Sequence, residues 1–106
     1  MLKYIDDLYL TDVTERDLNK IKRKLRLGAG MAGLYVIMLS EGPDMFEIMH
    51  ASMFKIRRIR HKDHVVIGLA ESRRKAYRLV ERIICDHYTK TGGYSGIKAS
   101  FEGGGS

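Results

Sequence analysis

Apolar and polar positions follow two rhythms along this chain, a period of two and a period near four. From Tyr4 to Leu10, the residues Ile5, Leu8, Tyr9 and Leu10 predict a first strand, although Asp6 and Asp7 break its alternation. Leu18, Ile21 and Leu25 then recur at helical spacing. Thr14 reads as the N-cap of that helix, Asp17 as its capping-box acid and Gly28 as its left-handed stop. The remaining face of the helix is almost entirely basic. Leu34 to Leu39 is a continuous apolar run, the mark of a buried strand. Ser40 to Asp44, with Gly42 and Pro43, carries turn chemistry, so Met45 to Met49 is expected to return as an antiparallel partner.

The stretch from His50 to Lys62 fits two patterns. Met53, Ile56, Arg57 and Arg60 give a short helix with one apolar edge, whereas Phe54, Ile56 and Arg58 give a strand; the helix is preferred. His64 to Ala70 is the second strong strand. Ser72 caps a long helix whose apolar edge is Ala76, Val80, Ile83 and His87, widened by Tyr77, Ile84 and Tyr88. Thr91 to Tyr94, with Gly92 and Gly93, stops it, and Ile97 to Phe101 reads as a closing edge strand.

The order is therefore β-α-β-β-(α)-β-α-β, an α+β class with a small mixed or antiparallel sheet and two main helices on one face. It contains a split β-α-β arrangement of ferredoxin-like type, a fold that hosts unrelated functions. The 106 residues make one domain over 1–102, and the terminal GGGS of 103–106 reads as a flexible linker or fusion scar. The stretches LYVIML, FEIM and VVIGLAESRRKAYRLVERIICDHYTKTGGY resemble small bacterial or phage α/β proteins of no assigned activity. The resemblance runs from Leu34 onward and lies in core pattern and turns. It implies a bacterial or phage origin and carries no catalytic residue with it.

Composition narrows the setting. Cys85 is the sole cysteine, so no internal disulfide forms and a reducing compartment fits. Met1 to Leu10 carries Asp6 and Asp7 and lacks the apolar core of a signal peptide, and no apolar run is long enough to span a bilayer. A cytoplasmic protein with no membrane partner is the expectation.

Charge changes the picture most. Nineteen Lys and Arg against thirteen Asp and Glu give a formal charge of +6. Leu18 to Lys62 holds Lys20, Lys22, Arg23, Lys24, Arg26, Lys55, Arg57, Arg58, Arg60 and Lys62 against Glu41, Asp44 and Glu47. Such a bias suits a polyanionic partner. The long helix also opens on Arg73, Arg74 and Lys75, where the helix dipole favours acids; a bound phosphate reverses that cost. Arg74, Arg78 and Arg82 then form one ridge at four-residue spacing, relieved by Glu81 and Asp86. Read as plain surface, the same residues are a solvated face with its own counter-charges.

Other constellations carry less. His61, His64, Cys85 and His87 lack the paired spacing of a zinc site, so no metal is expected. Cys85 has no base at nucleophile spacing, since His87 points to another side of the helix. Gly28 to Gly33 matches GxGxxG literally, but it follows a helix and precedes a strand, the reverse of a dinucleotide site. Met45, Met49 and Met53 offer an adaptable apolar contact in a core or a subunit interface.

The sequence thus reads as a small non-enzymatic module that needs no cofactor. It contacts nucleic acid or another polyanion through Arg73, Arg74, Lys75, Arg78 and Arg82, helped by Lys20, Arg23 and Lys24. The alternatives are a homodimeric protein–protein module and a sensor for a small phosphorylated ligand at the same helix start.

Overall fold

The two continuous apolar runs become the two interior strands of a single sheet. A computed structural model describes residues 2–29, 31, 33–40 and 46–93. Its strands are β1 (Leu2–Leu10), β2 (Tyr35–Leu39), β3 (Phe46–His50) and β4 (His64–Ala70), in the order β1-β4-β2-β3. The helices are α1 (Asp12–Arg16), α2 (Leu18–Leu27), α3 (Arg57–Arg60) and α4 (Arg73–Thr91), with a 3-10 helix over Ala51–Lys55 leading into α3. The class is α+β with a mixed sheet, as the element order implies. The closing strand expected over 97–101 and most of the turn at 40–44 lie outside the described residues.

The ferredoxin-like order is not found. A split β-α-β unit needs parallel strands on either side of its helix. Here β1 runs parallel to β4, and β2 runs antiparallel to β4, so β1 and β2 oppose one another across the strand between them. The tight β2–β3 antiparallel pair does form, with Val36 opposite Met49 and Met38 opposite Glu47.

Nor do the helices share one face. Val36, Met38, Val66 and Leu69 point to one side, where they meet Ile21 and Leu25 of α2 and Ala51 and Phe54 of the 3-10 helix. Ile37, Ile67 and Ala70 point to the other, against Ala76, Leu79 and Ile83 of α4. An interior strand that is apolar at every position exposes two apolar faces, and both must be covered. The continuous runs of β2 and β4 therefore require a three-layer arrangement. One α-layer alone would leave Ile37 and Ile67 in water.

The break at Asp6 and Asp7 has a structural cause. Tyr4 pairs with Val66, but Tyr9 pairs with Gly68, so β1 takes five steps where β4 takes two. The exposed Asp6 and Asp7 lie in that irregular stretch. It returns Leu8 and Leu10 to the side of Leu2 and Tyr4, while Ile5 and Tyr9 face α4. On the other edge of β4, Ile37 pairs with Gly68 and Met38 with Val66, which leaves Ile67 as an inserted residue. Gly68 sits where both irregularities meet. A Cβ there would lie 2.9 Å from the Tyr9 carbonyl oxygen and 3.2 Å from Ile37 Cδ1. Gly68→Ala is thus expected to cost about 1–3 kcal/mol, because the nearest obstacle is backbone. A chemical-denaturation midpoint equal to the parent's would show that β1 can withdraw at no cost.

Local signals are shifted more than they are wrong. The first helix starts earlier than Thr14: Thr11 is the cap, Thr14 completes the capping box, and Asp17 separates α1 from α2 without a side-chain cap bond. Gly28 ends α2 at φ 69° as expected, with Ala29 N–H donating to Lys24 C=O at 3.0 Å. The 50–62 stretch is helical, but Phe54 is its anchor while Met53 and Ile56 are exposed. In α4 the buried stripe runs through Ala76, Leu79 and Ile83; Tyr77 and Tyr88, expected to widen it, are about half exposed at 55% and 48%. No helix among the described residues is long and apolar enough to cross a membrane.

Candidate polyanion-binding surfaces

Two basic surfaces result, one on each side of the sheet. On the α4 side, Ser72 caps the helix, its Oγ accepting from the Lys75 N–H at 3.2 Å. Glu71 lies just outside the first turn, and its carboxylate accepts from Lys75 Nζ and from Thr11 Oγ1. Burial pushes the Glu71 carboxyl upward, but hydrogen bonds from Lys75, Thr11 and its own backbone, together with the Lys75 charge, outweigh this and hold it below the usual range. Glu71 thus supplies from outside the helix the negative charge that the first turn lacks.

The other cations of α4 are partly engaged. The Arg73 guanidinium lies 6.0 Å from the centroid of the Tyr35 ring, and that of Arg82 lies 5.9 Å from the Tyr9 ring. The Tyr9 hydroxyl donates to Asp86 Oδ2 at 2.8 Å. Its pKa is pushed up to about 12 by burial and by that bond and the Asp86 charge, against an opposing pull from Arg82. Of the five α4 cations singled out by sequence, only Arg74 and Arg78 are exposed and make no hydrogen bond, ion pair or ring contact among the described residues. The ridge of three is reduced to two.

On the opposite side, α2 turns Ile21 and Leu25 onto the sheet, which leaves its cations outward or along its flank. Lys22, Arg23 and Arg26 border a cleft of about 460 Å³, with Leu2 and Tyr4 of β1, Asn19 and Leu25 of α2, and Arg60 and His61 at the end of α3. Arg60 is fixed there: its Nη1 donates to the Phe54 carbonyl at 3.1 Å, and it crosses Gly28 so closely that any side chain at 28 would collide with it. The Arg60 charge therefore lies beside the C-terminal end of α2, where the helix dipole favours a cation. Lys22 Nζ stands 4.7 Å over the Tyr4 ring.

Tyr4 is the unusual member. Its hydroxyl is buried and has no hydrogen-bond partner among the described residues. Burial pushes its pKa up to about 12, so it stays a neutral donor. Among the described residues no carboxylate borders the cleft.

Arg23 is the one sequence-named residue that lines this cleft; Lys20 and Lys24 belong to the same helix outside it. The two helix groups named together, on α2 and α4, lie on opposite faces of the sheet. Lys22, Arg26 and Arg60 were visible only as part of a charge bias. Tyr4 gave no signal, because nothing local tells that β1 will run beside α2. Among the described residues no three His, Cys, Asp or Glu side chains gather as a metal site. The exposed large apolar residues divide between the faces, Leu27, Met53 and Ile56 on the α2 and 3-10 side and Tyr77 and Tyr88 on α4. Met49 and Met53 fall in β3 and the 3-10 helix, so they share no single stripe. No family model, curated protein or solved structure matches this chain.

Proposed function

We propose that the protein is a non-enzymatic nucleic-acid-binding module whose interface is the α2–α3 side of the sheet. The observation that carries this reading is a juxtaposition. The basic helix Leu18–Leu27 and the basic stretch Ala51–Arg60 pack against the same sheet face, through Ile21, Leu25, Ala51, Phe54 and Ile59. Their cations, Lys20, Lys22, Arg23, Lys24 and Arg26 with Lys55, Arg57, Arg58 and Arg60, come without one acidic residue in either segment. Cations held on two adjacent supports suit a phosphate backbone, which binds by releasing condensed counterions. Of the α4 cations Arg73, Arg74, Lys75, Arg78 and Arg82, three are engaged by Tyr35, Glu71 and Tyr9, so the α4 side is the weaker candidate.

Binding of this kind falls steeply with salt. Replacing Arg23 and Arg26 with Ala is expected to lower affinity at every salt concentration. It should also flatten the slope of log K against log salt by about 2, close to one unit for each lost phosphate contact. Replacing Arg74 and Arg78 should leave both quantities nearly unchanged. Fluorescence anisotropy across a salt series reads both. A larger loss from the α4 pair would move the interface to the other side of the sheet.

A further inference from the structure

The cleft bordered by α2, β1 and the end of α3 has more in it than a phosphate requires. At about 460 Å³ it is much larger than one phosphate group. It falls within the range of roughly 300–1,000 Å³ typical of sites for small organic ligands. Part of its lining is apolar, from Leu2, Leu25 and the Tyr4 ring, while its basic border comes from Lys22, Arg23, Arg26 and Arg60. A bare anion uses the cations and leaves the apolar wall idle. A lipid or hydrocarbon does the opposite. A nucleotide uses both, with a flat ring system for the apolar wall and a phosphate for the cations.

The buried hydroxyl of Tyr4 points the same way. A buried donor with no partner destabilises the protein that carries it, and phenylalanine would fill the same space without that cost. Such a group is explained if a ligand acceptor completes it. Lys22 covers the Tyr4 ring in the free protein. A base stacked on that ring takes over the contact and leaves the ammonium for the phosphate.

We infer that the cleft holds one unpaired nucleotide, its phosphate on Lys22, Arg23, Arg26 and Arg60 and its base against Leu2 and Tyr4. This rests on the reading of the α2–α3 side as a nucleic-acid interface and makes it selective for single strands, since a paired base cannot enter. The nucleotide is either free or one unit of a strand.

The test is competition against a labelled single-stranded oligonucleotide, read by anisotropy, with four unlabelled probes. These are the same strand, its duplex, inorganic polyphosphate, and adenosine and uridine monophosphates. The single strand is expected to bind about tenfold tighter than the duplex at equal salt, the scale of one base stacked on an aromatic ring. Tyr4→Phe is expected to weaken the single strand about fivefold while leaving polyphosphate unchanged and thermal stability undiminished. Displacement by the monophosphates assigns the site to free nucleotides; single-strand preference without such displacement assigns it to a unit within a strand. Equal binding of strand, duplex and polyphosphate, with Tyr4→Phe inert, overturns the nucleotide cleft but leaves the basic interface standing. Absence of binding to any nucleic acid at low salt overturns the interface itself and the cleft with it.

Discussion

Replacing Phe54 with alanine is expected to remove about 3–5 kcal/mol of folding stability, read as a lower urea midpoint with an unchanged slope. Phe54 is fully buried between the 3-10 helix and the α2 side of the sheet. Its ring meets the edge of His64 at 5.8 Å and 89°. His64 in turn donates from Nε2 to the Ile59 carbonyl at 2.9 Å, and the Phe54 carbonyl accepts from Arg60. One aromatic side chain therefore anchors the segment that carries the second basic patch. The neighbouring Met53 is exposed. Met53→Ala should change stability by less than about 0.5 kcal/mol, as surface substitutions do. Similar losses from the two substitutions would mean that the segment is held by its backbone and not by Phe54.

That pair of residues shows where sequence patterning was sufficient and where it was not. Both rhythms in the stretch place an apolar residue near 53–56. A short 3-10 turn has tighter geometry than an α-helix. It brings Ala51 and Phe54, three apart, onto the sheet and sends Met53 and Ile56 outward. The interior strands were legible for a stronger reason. Their apolar runs are continuous, and only burial on two sides tolerates that. The same runs require cover on both sides, since Val36 faces α2 and Ile37 faces α4, and the expectation of helices on one face overlooked this. Strand order was not legible. The parallel pairing of β1 with β4 joins residues 59 to 62 positions apart, and no local pattern encodes it.

The site divides along the same line. Charge imbalance in α2 and the 55–62 run is a property of local sequence and is legible without geometry. Which patches would combine was decided by topology. β4 leads into α4 on the face opposite α2, so the two basic helices do not combine. The helix-start cations Arg73, Arg74 and Lys75 looked anomalous because their compensation is not in the helix. Glu71 lies before the cap, and the Tyr35 ring comes from another strand. Glu71 is adjacent in sequence and legible as a partial offset, whereas the Tyr35 ring is brought there only by the fold.

Thr14→Val is the second substitution expected to have a large effect, about 2–4 kcal/mol, because it removes the two hydrogen bonds that one buried hydroxyl makes to backbone groups. Thr14 is the buried polar residue of the fold among those described. Its Oγ1 donates to the Leu69 carbonyl at 3.0 Å and accepts from the Thr11 N–H at 2.8 Å. The first bond ties α1 to the end of β4, and the second closes the capping box that starts α1. Valine keeps the shape and loses both bonds. Serine keeps both bonds and loses a methyl group, so Thr14→Ser should cost only about 1 kcal/mol, the scale of one buried methylene. The comparison separates hydrogen bonding from packing at a single position. If valine proves as stable as serine, the joint between α1 and β4 is held by apolar contact alone. If valine is the worse by the margin expected, the start of α1 and the C-terminal end of β4 are one hydrogen-bonded corner. Thr11 extends that corner to Glu71 through its hydroxyl. The same substitution should then also loosen the carboxylate that compensates the first turn of α4.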